Sequence, residues 1–262
     1  MRMAIAGATG TVGRHVHRVA VDRGHEVVPL SRRHGHDLTR GTVTDAVAGV
    51  KTIIDVTGIQ TLSRRRATTF FEAASRTIQA SGTSAGVEHL VALSIVGIDG
   101  VDSSYYGAKL AHERAVESGD LPFTLVRAAQ FHEFAAQTVA RGSFGRITMT
   151  PTALLRPVAA REVAEYLVDV AESDPRGRAP DLVGPRDETL IDMVASLLDH
   201  TRPKRIAWEI PLPGAMGAAM ASGRLRGTAD ARRGRVTFSD WLRDQHHDSP
   251  MNTHRRRPDA DT

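Results

Sequence analysis

The sequence predicts an α/β protein built on a doubly wound parallel sheet. Short apolar segments with the length of strands alternate with amphipathic segments with the length of helices through the first half of the chain. The first strand also runs directly into three glycines spaced G-x-x-G-x-x-G, at Gly7, Gly10 and Gly13, and a helical pattern follows at once. Both observations favour one sheet of parallel strands with helices on both faces.

The first strand–helix–strand unit is complete within about thirty residues. After the glycines, apolar residues recur at the i, i+4, i+7 and i+8 positions of a helix, at Val12, Val16, Val19 and Ala20. Gly24 is suited to end this helix, because glycine accepts the left-handed conformation common at helix C-termini. The second strand is predicted over residues 26–30.

Three more strands and two more helices continue the alternation. We predict the strands over residues 51–56, 87–93 and 122–126, and the helices over residues 68–81 and 105–118. In a sheet of this kind, ligands bind beyond the carboxyl ends of the strands. The residues expected to border one crevice are therefore Gly7, Ser31, Thr57, Ser94 and Arg127.

The pattern loosens from about Phe144 onward. It predicts helices over residues 161–171 and 190–200, a strand over residues 204–210, and then a segment rich in proline and glycine. We expect residues 144–235 to supply a smaller substrate-covering region interleaved with the main domain, so that residues 1–245 form a single domain. Residues 246–262 are polar and charged, and we expect them to form a flexible tail.

The amino-acid composition limits the classes of partner that the protein is expected to bind. The chain has 262 residues, of which 41% are hydrophobic and 24% charged, which are ordinary globular values. The net charge is +4, but the basic residues are scattered and only 5% of residues are aromatic, which argues against a nucleic-acid partner. No apolar run is long enough for a membrane span, and the first residues do not resemble a secretion signal. The absence of cysteine and of an H-E-x-x-H pattern predicts a cytoplasmic protein without a metal site.

The glycine turn predicts dinucleotide binding. Gly7 can take the positive φ of a tight turn, Gly10 leaves room for a phosphate, and Gly13 lets the helix pack closely on the sheet. A pyrophosphate can then meet amide N–H groups at the N-terminus of the first helix. The expected cofactor contacts in this turn are Gly7, Thr9, Gly10, Thr11, Val12 and Gly13.

The residues after the second strand predict NADPH rather than NADH. A carboxylate at this position would accept hydrogen bonds from the adenosine ribose and repel a 2′-phosphate. The chain has Ser31, Arg32 and Arg33 instead, and arginine binds phosphate with a bidentate fork. The alternative interpretation is a solvated basic loop. Asp37 and Leu38, just beyond, are candidate contacts of the adenine.

Three side chains form a candidate carbonyl-reducing site. Tyr105 and Lys109 are four residues apart and share a helix face, so the lysine charge is expected to lower the pKa of the phenol. Ser94 ends the preceding strand and can hydrogen-bond a carbonyl oxygen as charge develops there. We predict that Tyr105 donates the proton, that Lys109 tunes it and holds the nicotinamide ribose, and that Ser94 orients the carbonyl. Tyr106 is the rival donor, but no lysine follows it at i+4.

Several segments together resemble short-chain dehydrogenases/reductases of the atypical or extended kind. They are the glycine turn G-A-T-G-x-x-G from Gly7, the strand-end Ser94, and the Y-x-x-x-K motif from Tyr105. Residues 93–99 and 127–134 resemble, more narrowly, the bacterial NAD(P)H-binding, NmrA-like members. The resemblance spans most of the chain and implies a Rossmann core with a small C-terminal substrate region. It also implies that Thr57 and Gly58 lie near the nicotinamide half of the cofactor.

The segment after the fifth strand supplies candidate substrate contacts. They are Arg127, Gln130, Phe131 and His132. A histidine in this position could act as a second acid or base. For Arg127, a salt bridge at the end of the sheet is an equal alternative.

These observations leave three hypotheses for function. The preferred one is an NADPH-dependent oxidoreductase that reduces a carbonyl, or oxidises the matching alcohol, of a small apolar organic molecule. The second is an epimerase, dehydratase or isomerase that uses the same site and returns the hydride. The third is a non-catalytic sensor of the redox nucleotide, although the NmrA-like sensors generally lack the tyrosine that this chain has at Tyr105. A homodimer is the default expectation if the protein is oligomeric.

Overall fold

The structure is a computed structural model that describes residues 1–61, 63–199 and 204–247. For residues 246 and 247 it describes the backbone alone. The predicted helix end at His200 and most of the predicted tail, residues 248–262, lie outside the described residues.

The described residues contain thirteen strands, which form one large sheet and two small ones. They are β1 (Arg2–Ala6), β2 (Glu26–Leu30), β3 (Thr52–Asp55), β4 (His89–Ile95), β5 (Phe123–Ala128), β6 (Ser143–Phe144), β7 (Ile147–Pro151), β8 (Leu154–Leu155), β9 (Gly177–Arg178), β10 (Leu182–Val183), β11 (Glu188–Thr189), β12 (Ile206–Ile210) and β13 (Arg232–Arg233). The large sheet has the order β13-β10-β5-β4-β3-β1-β2, with β9 also paired to β5, and every pairing in it is parallel. The predicted doubly wound parallel sheet is therefore confirmed.

Eight α-helices accompany the strands in the part of the chain that the structure describes. They are α1 (Gly13–Asp22), α2 (Arg64–Ala85), α3 (Ser104–Glu117), α4 (Glu133–Gly142), α5 (Ala160–Ala171), α6 (Leu190–Asp199), α7 (Gly214–Ala221) and α8 (Phe238–His247). Helices α1 and α5 bury Val16, Ala20 and Val163 on one face of the large sheet, whereas α2 and α3 bury Ile78 and Val116 on the other. Helices thus cover both faces, as the alternation predicts.

The bounds of α2 and β4 differ from the sequence prediction for reasons that the structure shows. Helix α2 is longer than the predicted 68–81, because Ser63 caps its start by accepting a hydrogen bond from the Arg66 N–H, and Gly86 ends it in the left-handed conformation. Strand β4 runs to Ile95 rather than ending at residue 93, because its pairing with β5 continues through Ser94.

The second half of the chain builds a smaller lobe on the sheet. Helices α4 and α6 pack against a three-stranded sheet in which β7 is parallel to β12 and antiparallel to β6. The core of this lobe continues beneath α3 and includes Ile98, Tyr106, Leu155, Leu190 and Phe238. Helices α4, α7 and α8 and strand β7 were not predicted from the sequence. Among the described residues, no helix has the length and apolarity needed to cross a membrane.

Candidate active site

The glycine turn forms an open cradle at the end of β1. Gly7 has a φ of +84°, its N–H donates to the Leu30 carbonyl at 2.9 Å, and the Gly10 N–H donates to the Gly7 carbonyl at 2.9 Å. A Cβ at Gly13 would overlap the Gly7 carbonyl oxygen, so only glycine lets α1 start this close to the strand. The N–H groups of Thr11 and Val12 donate to no acceptor among the described residues. This is the donor arrangement that a pyrophosphate requires.

The turn lies against the segment that follows β3. A Cβ at Gly7 would lie 2.9 Å from the Val56 carbonyl oxygen, so the two segments are in direct contact. The Thr57 N–H donates to Asp55 Oδ1 at 2.8 Å, and the buried Thr57 hydroxyl has no hydrogen-bond partner among the described residues. The carboxyl ends of β1 and β3 therefore share one crevice, as predicted for Gly7 and Thr57.

Tyr105 reaches the same crevice from α3. A Cβ at Gly58 would lie 3.6 Å from the Tyr105 hydroxyl oxygen, and the ring meets Phe71 of α2 edge-on at 5.8 Å between centroids. Burial, reinforced by the negative charge of Asp55, raises the pKa of Tyr105 to about 12. The predicted lowering of this pKa by Lys109 is therefore wrong. The phenol stays protonated throughout the physiological pH range.

Tyr106 points elsewhere. Its ring is buried in the core of the smaller lobe, and its hydroxyl accepts a hydrogen bond from Gln130 Nε2 at 3.3 Å. Burial raises its pKa above the ordinary value, and the neighbouring Tyr105 adds to the shift. Tyr105 is thus the tyrosine that lies beside the crevice.

Lys109 faces inward rather than toward the crevice. Its Nζ donates to the Leu93 carbonyl at 2.7 Å and to His112 Nδ1 at 2.9 Å, and it lies 4.5 Å from the centroid of the Phe71 ring. The ring of Phe71 thus contacts both Tyr105 and Lys109. Burial lowers the pKa of Lys109 to about 8, although the charges of Asp55 and Glu113 oppose this shift. The structure therefore does not place the ammonium where it could hold a nicotinamide ribose.

His112 links Lys109 to Asp55. Its Nε2 lies 3.0 Å from Asp55 Oδ2, and both side chains are almost fully buried. Burial, together with the Lys109 charge, lowers the pKa of His112, so the imidazole is neutral at neutral pH. In the tautomer that fits both contacts, Nε2–H donates to Asp55 while Nδ1 accepts from Lys109. The sequence prediction missed Asp55 and His112. A carboxylate that ends an apolar strand and a histidine three residues after the motif lysine were the available signals.

The buried hydrogen bonds that join Lys109, His112 and Asp55 predict that the protein loses stability in acid. Burial alone would raise the pKa of Asp55, but His112, Thr57 and the Lys109 charge outweigh it and lower the pKa to about 2. The folded protein then binds fewer protons than the unfolded chain between pH 4 and pH 2, so stability falls as the pH falls through this range. We expect the protonation of Asp55 to lower the free energy of unfolding by about 2 kcal/mol over this range. Urea unfolding at each pH measures this loss. Asp55→Asn should lack this loss and be less stable at pH 7, whereas Asp45→Asn, at an exposed position, should follow the wild-type profile. Parallel curves for wild type and Asp55→Asn would contradict the assignment.

Ser94 does not lie at the end of its strand. Because β4 continues to Ile95, the Ser94 side chain is buried inside the sheet beneath α3. Its Oγ has no hydrogen-bond partner of ordinary geometry among the described residues, and its polar neighbour is Glu113, whose pKa it helps to lower. The predicted role in orienting a carbonyl at the strand end is not supported by this placement.

Arg127 forms ion pairs rather than facing a ligand. Its guanidinium donates to Glu113 at 2.8 and 2.7 Å and to Asp99 at 2.5 and 2.8 Å. These bonds more than offset the effect of burial and raise the pKa of Arg127 above its ordinary value. Of the two alternatives for Arg127, the structure favours the salt bridge at the end of the sheet.

His132 is a core residue. It is fully buried against Phe238 and Trp241, its Nε2 lies 3.1 Å from the Val236 carbonyl, and burial lowers its pKa to about 4. The predicted role of His132 as a second acid or base at a substrate is therefore wrong. Phe131 pairs with Val158 and packs on the core beside α5, and Gln130 is half-buried against Tyr106.

The loop after β2 presents its two arginines outward. Arg32 and Arg33 lie in a short 3₁₀ turn, are exposed, and have no hydrogen-bonded carboxylate among the described residues. The Ser31 hydroxyl lies 2.7 Å from His34 Nδ1. Asp37 accepts hydrogen bonds from the N–H and hydroxyl of Thr39 at 3.0 and 2.7 Å. The Leu38 side chain belongs to the core beneath α2, which corrects its prediction as an adenine contact through that side chain.

The parallel sheet and the glycine cradle define a dinucleotide-binding protein of the Rossmann type. Residues 7–174 match the family described as NAD(P)H-binding, and the chain belongs to this family. The predicted resemblance to an NAD(P)H-binding family is thereby confirmed. Among curated proteins, none matches the sequence.

Solved structures share the fold at low sequence identity. Triphenylmethane reductase from Citrobacter sp., solved in complex with NADP(H), is 16% identical, with a TM-score of 0.60 over 88% of this chain and 93% of its own. A dTDP-4-dehydrorhamnose reductase from Clostridium acetobutylicum is 14% identical, with a TM-score of 0.70 over 94% and 100% of the two chains. A nucleoside-diphosphate-sugar epimerase from Staphylococcus aureus is 14% identical, with a TM-score of 0.64 over 92% and 99%.

Proposed function

We propose that this protein is an NADPH-dependent oxidoreductase that reduces a carbonyl group of a small apolar organic molecule, with Tyr105 as the proton donor. The observation that carries the proposal is the position of the Tyr105 hydroxyl beside Gly58, in the crevice that also contains the glycine turn. A proton donor at the edge of a dinucleotide site has the placement that hydride transfer to a carbonyl requires.

The residues of the crevice suit a bound dinucleotide. The cradle from Gly7 to Gly13 offers free backbone N–H groups at the start of α1, which favour a pyrophosphate. Thr57 supplies a buried hydroxyl without a partner among the described residues, and Gly58 leaves room beside Tyr105. When bound, the reduced nicotinamide would supply a hydride equivalent for the carbonyl carbon.

The pKa of Tyr105 favours reduction over oxidation. With a pKa of about 12, the phenol is fully protonated at neutral pH and can give its proton to a carbonyl oxygen that gains negative charge. Alcohol oxidation, and isomerisation that begins with it, would need the phenolate as a base, which burial and Asp55 disfavour. The tyrosinate formed in a reduction regains its proton from water. The resting protonation state of Tyr105 therefore suits a reaction that begins with reduction, in which the phenol gives up its proton.

Lys109, His112 and Asp55 have a positioning role in this proposal. Lys109 fixes α3 to β4 through the Leu93 carbonyl, and His112 fixes the same helix to β3 through Asp55. Because α3 carries Tyr105, these contacts hold the phenol at the crevice. Ordered placement of a donor is worth several orders of magnitude in rate when the geometry is right.

The activity is tested by a screen for NADPH consumption. Purified protein is incubated with NADPH and a panel of ketones, aldehydes, enones and quinones, and the absorbance at the nicotinamide band is followed, with product identified by mass spectrometry. We expect at least one compound to be reduced with an increase of two hydrogen atoms. Tight NADPH binding without turnover of any compound would favour the nucleotide-sensor hypothesis instead.

Arg32 and Arg33 are expected to determine the preference for NADPH. Their exposed guanidiniums are free to pair with a 2′-phosphate, and hydrogen bonds to a charged group contribute about 1.5–3 kcal/mol. Arg32→Ala/Arg33→Ala should therefore weaken NADPH binding about 10- to 100-fold by fluorescence titration and leave NADH binding within about 3-fold. Arg114→Ala, an exposed arginine of α3, is the matched control for lost surface charge. Equal losses for both nucleotides would refute the 2′-phosphate role.

A further inference from the structure

The small sheet β6–β7–β12 carries an exposed apolar face. Five side chains form this face, with exposed fractions of 85% for Phe144, 66% for Ile206, 61% for Trp208, 48% for Met149 and 44% for Ile147. They account for five of the seven large hydrophobic residues that are exposed in the described part of the chain. Contiguous apolar surface of this kind marks an interaction site.

Strand register makes these side chains one continuous surface. Ile147 pairs with Phe144 on one side and with Ile206 on the other, and Met149 pairs with Trp208. The strands therefore align two rows of apolar side chains on the same face. We call this surface the outer face of the small sheet.

Strand β7 turns its polar side chains inward and its apolar side chains outward, which is the reverse of a strand with one face in water. Thr148 and Thr150 point inward and are fully buried, whereas Ile147 and Met149 point outward. The inward hydroxyls are satisfied, because Thr148 Oγ1 lies 2.8 Å from Ser143 Oγ and Thr150 Oγ1 donates to the Thr148 carbonyl. A sheet with one solvated face normally places polar residues outward. The outer face thus has the composition of a buried surface.

The size of the outer face matches half of a dimer interface. Large apolar and aromatic side chains bury roughly 150–250 Å² each, so the exposed fractions amount to roughly 600 Å² for one chain. Two such faces packed together would bury about 1,200 Å², the lower end of the range for specific interfaces. The charged residues Arg146, Lys204 and Arg205 precede the parallel strands β7 and β12, so they lie at one end of the sheet and leave the centre of the outer face uncharged.

From these observations we infer that the outer face of the small sheet binds the same face of a second copy of this chain, as a two-fold symmetric homodimer. A two-fold axis brings Phe144, Ile206 and Trp208 of each copy onto the apolar face of the other, so one self-complementary surface suffices. The rest of the chain supplies a poor alternative cover, because residues 248–262 read D-S-P-M-N-T-H-R-R-R-P-D-A-D-T and are mostly polar or charged. The inference is independent of the proposed function.

The test is the mass of the full-length protein in solution. Sedimentation velocity from about 0.1 to 100 μM should give twice the 28.3 kDa chain mass for the wild type at the upper concentrations. Ile206→Thr/Trp208→Thr keeps residues that favour strands but removes two apolar anchors, and should weaken the dimer at least about 100-fold. Val21→Thr removes an exposed apolar side chain from α1 and should leave the dimer unchanged. An unchanged circular-dichroism spectrum and a cooperative thermal unfolding transition would show that the double variant is folded.

Other outcomes would overturn the inference. A wild type that is monomeric at every concentration, or a double variant that stays dimeric, would exclude this face as the dimer contact. Binding of the monomeric wild type to vesicles of anionic lipid, lost in the double variant, would make the face a membrane contact. A dimer that forms only after residues 248–262 are deleted would mean that the chain's own terminus covers the face.

Discussion

Replacing Tyr105 with phenylalanine should reduce NADPH-dependent carbonyl reduction about 100- to 10,000-fold and leave NADPH affinity nearly unchanged. A positioned proton donor contributes a factor of this size to rate. The hydroxyl is the part of the side chain that lies beside Gly58, whereas the ring packs on Phe71 and would be kept in the variant. Turnover is measured with the compound that responds in the NADPH screen, and affinity by fluorescence titration.

Tyr106→Phe is the matched control for this experiment. The Tyr106 hydroxyl contacts Gln130 inside the smaller lobe and does not border the crevice. Its loss should cost some stability but leave turnover within about a factor of ten, as for a single buried hydrogen bond. If Tyr105→Phe retains wild-type turnover, or if Tyr106→Phe loses it, the identity of the proton donor is wrong.

Gly10→Ala should weaken NADPH binding strongly without unfolding the protein. Apart from the chain neighbours of Gly10, the Gly7 carbonyl oxygen at 3.2 Å is the one atom of the described residues within 4 Å of an added Cβ, so the methyl group would project mainly into the cradle. There it would meet the pyrophosphate. Overpacking of this kind costs about 1–3 kcal/mol, which corresponds to a roughly 10- to 100-fold loss in affinity. The melting temperature should change by no more than a few degrees.

Gly13→Ala separates this effect from damage to the fold. At Gly13 the added Cβ would overlap the Gly7 carbonyl oxygen and lie 2.9 Å from backbone atoms of Ala8, so the turn itself must shift. We expect this variant to lose melting temperature as well as NADPH affinity, as shown by thermal unfolding followed by circular dichroism. Wild-type affinity in Gly10→Ala would contradict the assignment of the cradle as the pyrophosphate site.

Local sequence patterns predicted the large sheet because each of its strands and helices can be recognised from residues close together in the chain. The apolar strands, the stripe of Val16 and Ala20 on α1, and the glycine spacing each depend on residues close together in the chain. Gly24 ends the helix at a φ of +79°, as its position suggested. The smaller lobe lacks such signals. Strand β7 reads Ile-Thr-Met-Thr-Pro with its apolar residues outward, and its partner β12 lies about sixty residues away.

The position of the candidate site could be predicted from the sequence, but the contacts of its charged side chains could not. The i, i+4 spacing placed Tyr105 and Lys109 on the same helix, but two side chains on one face need not contact each other. Lys109 instead meets the Leu93 carbonyl, 16 residues away, and His112, whose other ring nitrogen meets Asp55, 57 residues away. The contacts to Leu93 and Asp55 join distant segments and cannot be read from local spacing. The same holds for Arg127, whose partners Glu113 and Asp99 lie 14 and 28 residues away.

The most direct measurement is a crystal structure of the protein with bound NADP⁺. We expect the pyrophosphate to lie on the N–H groups from Thr11 to Gly13 and the Tyr105 hydroxyl to face C4 of the nicotinamide across a space that fits one carbonyl group. A nicotinamide ring bound away from Gly58, or a Tyr105 hydroxyl turned from the ring by the bound nucleotide, would rule out Tyr105 as the proton donor.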